Sequence, residues 1–504
     1  MRYHLVPFGC QMNLSDAERI RTVLESIGYE HTDREDEADL LGVVACSVRQ
    51  KAIDKVYTRI HRWNEWKRER TILTFISGCV LPADREKFMD RFDLLFTINE
   101  LPGLPDMLQQ YGVVTPASLR AAERRTREDA AGSPGTLSSR ENQSAGTPSP
   151  GATEYWHVEP AYSSRFEAYV PIQNGCDKFC TFCAVPYTRG REVSRPSDEI
   201  VAEVRRLVET GYRSITLLGQ NVNSYGLDRR SRNEHEASFA ELLRRIGEIG
   251  NETGRRFWTY FTSPHPRDMT DEVIDVISEY PALARQIHLP IQSGDDKVLI
   301  RMNRNYHVGR YRHVVAKIRD TIPEASLFTD IIVGFTGETD GQFERTRDAM
   351  REFSYNMAYI AMYSPRPGAA SSRWEDDVPH DEKRRRLHEL GEELQTSSLR
   401  YNEALIGSEV SLLVDGADRK PGYLTGKTEG RLIVRFPSEA TDLIGRFVTV
   451  RIERARPLSM EGTLVGLEPD GVREAAALTE RSHDAYRRAC RAAAAAAASE
   501  PVEA

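Results

Sequence analysis

Short apolar runs recur along most of this chain, and most are followed by a stretch with helical spacing. Near the N-terminus they span residues 3–9, 39–45, 71–78 and 93–98. A second series spans 168–173, 214–221, 256–262, 286–292, 327–335 and 357–363. Such alternation predicts parallel sheets of the α/β class, whose ligands bind outside the carboxyl ends of the strands. Residues 1–114 therefore read as an open parallel α/β domain. Residues 161–400 read as a barrel-like sheet of βα units with its site at the same end. In the first domain a helix is expected from near Ser15, with Ser15 and Glu18 as a capping box. A second is expected from about Arg49 to Lys67.

Between these domains, residues 115–160 are rich in Ser, Gly, Pro and charge and lack apolar periodicity. They read as a disordered linker. Residues 401–468 hold short alternating strands and predict a small OB-like β-barrel, a type that binds single-stranded or looped nucleic acid. Arg431, Arg435, Arg446 and Arg451 are its candidate RNA contacts. Residues 469–504 turn polar and then Ala-rich, and read as a disordered tail.

Hydrophobic residues at 40% and charged residues at 29% are ordinary for a globular protein. No apolar stretch is long enough for a membrane span, and the N-terminus lacks a signal-peptide layout. The reading is a cytoplasmic chain without a membrane partner. A net charge of −8 means that any nucleic-acid binding must come from local patches.

Seven cysteines are too few for a disulfide framework, and their places are informative. Cys176, Cys180 and Cys183 form a C-x3-C-x2-C run. Three thiolates on one loop suit an iron–sulfur cubane with one iron left open. A zinc site, a disulfide or buried thiols are the alternatives; zinc would want a fourth nearby Cys or His, and the loop has none. Cys10, Cys46 and Cys79 each follow an apolar run of the first domain. Placed at equivalent strand ends, they can converge on a second cluster, although three small buried residues would look the same. Cys490 reads as an incidental free thiol.

Polar residues gather at the expected strand ends of the second series. Gln220, Asn221, Gln292 and Ser293 read as pocket residues, because Asn, Gln and Ser are costly to bury without partners. Ser263, Pro264 and Pro266 read as turn chemistry. Arg189 and Arg191 suit an anion, such as a cofactor carboxylate or a phosphate, or else a structural pair with Glu192 or another barrel carboxylate.

The loop around Cys176, Cys180 and Cys183, with Phe182 before the last cysteine, resembles the signature of the radical S-adenosylmethionine (SAM) enzymes. The resemblance implies a partial (βα)6 barrel and a [4Fe–4S] cluster whose open iron chelates SAM, with Phe182 near the adenine. GCQMN at 9–13, ACSVRQKA at 45–52 and GCV at 78–80 resemble the N-terminal domain of the methylthiotransferases. That likeness implies a second [4Fe–4S] cluster, on Cys10, Cys46 and Cys79, carrying the sulfur to be transferred. PIQNGCDKFCTFCAVPYTRGREVSRP, TLLGQNVNSYG, HLPIQSG, TDIIVGF and YSPRPG are similar to the MiaB-type, tRNA-acting branch of that family. Ala45, Leu81–Pro82 and Thr336 depart from the family pattern without removing a ligand. Residues 401–468 resemble a TRAM domain, the tRNA-binding module of that family.

The resemblance implies methylthiolation of C2 of N6-(dimethylallyl)adenosine in tRNA, next to the anticodon. One SAM gives a methyl group to cluster sulfur, and a second is cleaved to the radical that attacks the C2–H. The implied partners are the tRNA anticodon loop, an electron donor such as flavodoxin or ferredoxin, and a sulfur source; the chain is expected to be a monomer. Other readings are a methylthiotransferase for N6-threonylcarbamoyladenosine or for a ribosomal protein, and a non-catalytic RNA-binding iron–sulfur protein.

Overall fold

Every residue of the run 40–46 is buried, as a strand covered on both faces demands. In the computed structural model, which describes residues 1–46, 50–112, 154–230 and 236–499, this run is β3 of a five-stranded parallel sheet. The strands are β1 (Arg2–Pro7), β2 (Glu30–His31), β3 (Leu40–Cys46), β4 (Leu73–Cys79) and β5 (Leu94–Leu95), in the order β2-β1-β3-β4-β5. The sheet belongs to a unit comprising Met1–Ser163 and Ala184–Arg195.

Three details of this unit differ from the sequence reading. Helix α1 (Gln11–Ser26) starts directly after Cys10, not near Ser15. Gly9, at φ +114°, lets the chain turn sharply out of β1, and the Cys10 carbonyl accepts the first helical N–H groups, from Asn13 and Leu14. Ser15 and Glu18 therefore lie inside the helix and make no capping box. The Ser15 hydroxyl accepts from Arg19, and Glu18 accepts from the backbone and hydroxyl of Ser163. The expected linker also ends earlier than position 160. Its residues 115–153 lie outside the described residues, but Glu154–His157 is a short 3-10 helix with Tyr155 and Trp156 buried in the core of this unit. Two large aromatics find enough apolar surface there to order the segment. Finally, residues 184–195 belong to this unit rather than to the barrel.

The second unit comprises Ser164–Cys183 and Pro196–Ala504. Its strands β6 (Glu167–Pro171), β7 (Ser214–Leu218) and β8 (Trp258–Phe261) form one parallel triplet. Strands β9 (Gln286–His288), β10 (Ser326–Val333) and β11 (Met357–Met362) form another. Thr259 joins the triplets, donating to Ala282 O and accepting from Ala284 N. The result is the expected series of six parallel strands in chain order.

Strands β12 (Glu409–Ala417), β13 (Tyr423–Thr428), β14 (Ile433–Pro437), β15 (Phe447–Arg456) and β16 (Ser459–Leu467) close a small barrel in the order β12-β13-β14-β16-β15. The turn after β13 packs on the large barrel: Glu429 accepts from Arg285 N at 3.0 Å, and Gly430 O accepts from Ser326 Oγ at 2.8 Å.

The expected disordered tail is instead a helix, Val472–Ser499, up to the last described residue. Ala485, Tyr486, Ala489 and Ala493 are buried against Val410, Leu412, Val434 and Phe436 of the small barrel. Alanine has the highest helix propensity and lets backbones approach closely, so an Ala-rich stripe packs without large apolar residues. Cys490 lies at the edge of this contact, 3.5 Å from Arg319. Among the described residues, no helix is long and apolar enough to cross a membrane.

His483 of this helix meets Glu429 Oε2 at 2.7 Å, with Glu324 at 3.7 Å. Burial alone would lower the His483 pKa, but Glu429 outweighs it and raises the net value. Glu429 is itself held below the usual carboxylate range: burial pushes it up, and His483 then Arg285 pull it further down. The pair is therefore at full strength between the unfolded values, about pH 4.3 and about pH 6.5. Its contribution falls as pH rises through the raised His483 pKa, and separately as pH falls through the lowered Glu429 pKa. Thermal melts from pH 6 to pH 9 are expected to show a fall in midpoint that is smaller in the His483→Gln chain. Equal slopes in the two chains would refute the assignment.

Candidate functional site

The first site grows from the carboxyl ends of three strands. β3 and β4 run in register, so Cys46 and Cys79 are partners across the ladder. Cys10 follows β1 after Gly9, where any Cβ would stand 2.5 Å from the Cys46 Cβ. Gly78, before Cys79, has φ +93°, and a Cβ there would meet Ala45 O at 2.6 Å. The Gly-Cys pairs are thus steric requirements for bringing three thiols to one edge of the sheet.

Asn13 fastens this edge. Its Nδ2 donates to Phe8 O and Ala45 O, 2.7 Å each, which ties the exit of β1 to that of β3. Its Oδ1 faces Cys79 Sγ at 3.7 Å. Arg189, buried in the same unit, donates Nε–H to Cys79 Sγ at 3.0 Å. Its Nη2 reaches Asn13 Oδ1 at 3.1 Å and Asp16 Oδ2 at 2.5 Å. The sequence suggests an anion for Arg189, such as a cofactor carboxylate or a phosphate, or a structural pair with Glu192 or another barrel carboxylate; its contacts include Asp16, Asn13 and the Cys79 thiol.

Cys46 and Cys79 are buried and Cys10 is exposed. Burial pushes the Cys79 thiol up to about 12; Arg189 pulls it back, while Cys10 and Cys46 push it further. Thiols so placed give up protons to a metal rather than to water. Among the described residues, no three such side chains close on a single ion. A cubane makes no such demand, because its ligand sulfurs sit on different irons. Three thiols, one solvent-facing, beside a buried guanidinium fit an anionic cluster with one position open.

The second site is the loop of Cys176, Cys180 and Cys183 after β6. Cys176 and Cys180 are buried and Cys183 is half-buried. A segment that sequence reading passed over holds this loop. Asn303 Nδ2 donates to Lys178 O and Phe179 O, at 3.3 and 3.0 Å. Thr181 donates through its backbone N to Met302 O and through its hydroxyl to Arg301 O. Arg304 donates to Cys180 Sγ at 3.4 Å and to Pro290 O at 3.0 Å. Lys178 pairs with Asp268 at 2.5 Å. The RMNR stretch at 301–304, two arginines and an asparagine at the end of the helix Asp296–Arg301, was the signal in the sequence.

This loop and the segments after the strands around it carry strained backbone. Phe179, Ser263 and Gln292 adopt positive φ of 48°, 59° and 69°. Each such residue costs about 1–3 kcal/mol, and such residues cluster at ligand sites. His265, edge-on to Tyr306, is held neutral: burial depresses it first, and Arg304, Lys178 and Arg267 add to that.

The candidate pocket residues separate. Gln220 Oε1, Asn221 Oδ1 and Gln292 Oε1 are buried and accept no hydrogen bond from any described residue. Asn221 spends only its Nδ2, on Asp268 at 3.2 Å. Buried oxygens without donors match a ligand that brings its own donors, such as the ammonium and adenine groups of SAM. Ser293 differs: its hydroxyl is used by Thr346 Oγ1 and Asp295 N, which makes it turn chemistry. Phe182 packs edge-on to Phe335, at the rim of a cluster with Val298, Met302 and Tyr363.

The four RNA-contact candidates also separate. Arg431 turns inward: it donates to Thr216 Oγ1 at 2.6 Å and lies 4.0 Å from the Tyr260 ring centre. It anchors the small barrel on the large one, and its reading as an RNA contact is corrected. Arg435 pairs with Glu461 and Arg451 with Glu409 across neighbouring strands. Arg446 makes no ion pair among the described residues.

Known families match this architecture piece by piece. The Uncharacterized protein family UPF0004 matches residues 2–97, the Radical SAM superfamily 170–350 and the TRAM domain 403–465. The chain is 35% identical to the tRNA-2-methylthio-N(6)-dimethylallyladenosine synthase of Burkholderia ambifaria (strain MC40-6), over 93% of this chain and 98% of that one. It is 34% identical to the enzyme of the same name from Actinobacillus pleuropneumoniae serotype 5b (strain L20), over 93% of each. With identity of this order along nearly the whole length of both chains, this protein belongs to the tRNA-2-methylthio-N(6)-dimethylallyladenosine synthase family.

Proposed function

We propose that this chain methylthiolates C2 of N6-(dimethylallyl)adenosine in tRNA, at the position 3′ of the anticodon, to give 2-methylthio-N6-(dimethylallyl)adenosine. The observation that carries this reading is the presence of two separate three-cysteine sites, each at strand carboxyl ends of a parallel sheet. The adenine C2–H is too weakly acidic for proton abstraction by a side chain, so the hard step falls to cofactors. When bound, the [4Fe–4S] cluster at one site supplies reductive cleavage of SAM to a carbon radical, and the cluster at the other supplies the sulfur.

The chain's own residues bind, orient and shield. Cys176, Cys180 and Cys183 would hold the first cluster, three ligands where a cubane takes four. The open oxygens of Gln220, Asn221 and Gln292 suit donors on SAM or the target nucleoside, and Phe182 lines the cluster loop. Cys10, Cys46 and Cys79 would hold the second cluster, and Cys10 is the exposed one of the three. His265 is neutral and packed edge-on to Tyr306, which suits shaping the site rather than proton transfer. The small barrel meets the tRNA, with Arg446 as a contact. A flavodoxin or ferredoxin supplies electrons, a separate source renews the sulfur, and the work is done in the cytoplasm.

Two outcomes test this. Reconstituted without oxygen and given SAM, a strong reductant and tRNA carrying N6-(dimethylallyl)adenosine, the wild type is expected to release 5′-deoxyadenosine and to form the methylthio nucleoside, both read by mass spectrometry. The Cys10→Ala/Cys46→Ala/Cys79→Ala chain is expected to release 5′-deoxyadenosine without product; product from that chain would refute the role of the second site. For the small barrel, Arg446→Ala is expected to weaken anticodon stem–loop binding and lower the salt slope by about 1. Arg431→Ala is expected to lower the melting temperature at unchanged salt slope, and the reverse pattern would restore Arg431 as an RNA contact.

A further inference from the structure

We propose that Arg189 is a positioning residue for the Cys10/Cys46/Cys79 site: it fixes the charge beside the Cys79 sulfur and so sets how readily a cluster there is reduced. The proposal rests on the reading that these cysteines ligate a cluster. Two side-chain observations carry it.

The first is how the guanidinium is used. Nε–H and one Nη2–H point the same way from the planar group, and that edge ordinarily makes two parallel bonds to one carboxylate. Here the edge is split: Nε–H goes to Cys79 Sγ at 3.0 Å, while Nη2 goes to Asp16 and Asn13. Asp16 is buried alongside, yet it receives only part of the arginine's bonding. The sulfur takes the place of the second carboxylate oxygen.

The second is burial. The Arg189 side chain is 4% exposed and Asp16 is 1% exposed. A charge removed from water to this extent persists only where its partners compensate it. Asp16 offsets the arginine charge, and Nε–H is directed at the Cys79 sulfur. Hydrogen bonds to ligand sulfurs and nearby net charge are two factors that set the potential of an iron–sulfur cluster. Arg189 and Asp16 therefore act with opposite sign: the arginine favours the reduced, more negative cluster, and the aspartate disfavours it.

The test uses the full chain with Cys176→Ala, Cys180→Ala and Cys183→Ala, so that any cluster sits on Cys10, Cys46 and Cys79. Into this parent go Arg189→Met, Arg189→Lys and Asp16→Asn. Each protein is assayed for iron and sulfide, and its midpoint potential is taken by redox titration followed by electron paramagnetic resonance. All are expected to keep about four irons. Arg189→Met is expected to lower the potential, Asp16→Asn to raise it, and Arg189→Lys to fall between Arg189→Met and the parent. Unchanged potentials, or shifts of the same sign in Arg189→Met and Asp16→Asn, would overturn the proposal. Loss of iron from the variants while the parent stays loaded would also overturn it, making the arginine a structural clamp. A parent without iron would instead bring down the cluster reading on which it rests.

Discussion

One side-chain amide, that of Asn13, joins the ends of two parallel strands. It bonds the exits of β1 and β3 and faces the sulfur at the exit of β4. Parallel strands leave their last carbonyls without ladder partners, so something must satisfy them before the chain can turn away. Asn13, the third residue of α1, does so for Phe8 just past β1, and with the same group also donates to Ala45, one residue before the end of β3. Because α1 must start at once for Asn13 to reach them, Gly9 is required in the turn, and the three thiols are left on one edge. The first site thus follows from finishing the sheet.

The second site is built differently. Its cysteines lie close together in sequence, so topology need not gather them; the problem is to keep an irregular loop in one shape. The 301–304 segment does this through backbone carbonyls, an asparagine amide and Arg304. The two sites still converge on one device. Each has a buried arginine donating to one cysteine sulfur, Arg189 to Cys79 and Arg304 to Cys180. Protein dipoles and charge beside a thiolate are a general means of tuning such centres.

Much of this was legible in the sequence because it depends on local order. The strand series, the cysteines at their ends and the small barrel all leave periodic or positional marks. What was not legible depends on contacts between distant residues. Arg189 and Asp16 are 173 positions apart, and nothing near either names the other. Arg431 looked like a surface cation on a short strand, because its Tyr260 and Thr216 partners belong to another domain. The C-terminal helix was hidden by composition: alanines have little hydropathy, yet Ala485, Ala489 and Ala493 beside Tyr486 fill a groove. Ser293 looked like Gln292 in sequence, and only their partners separate them, Thr346 for one and an unanswered oxygen for the other.

Everything functional here depends on two independent cluster sites in one chain. The most direct test is iron and acid-labile sulfide per chain after reconstitution without oxygen, for the wild type and for each three-cysteine→Ala variant. About eight irons in the wild type and about four in either variant is the predicted result. About four irons in the wild type, unchanged when Cys10, Cys46 and Cys79 are replaced, would contradict the account.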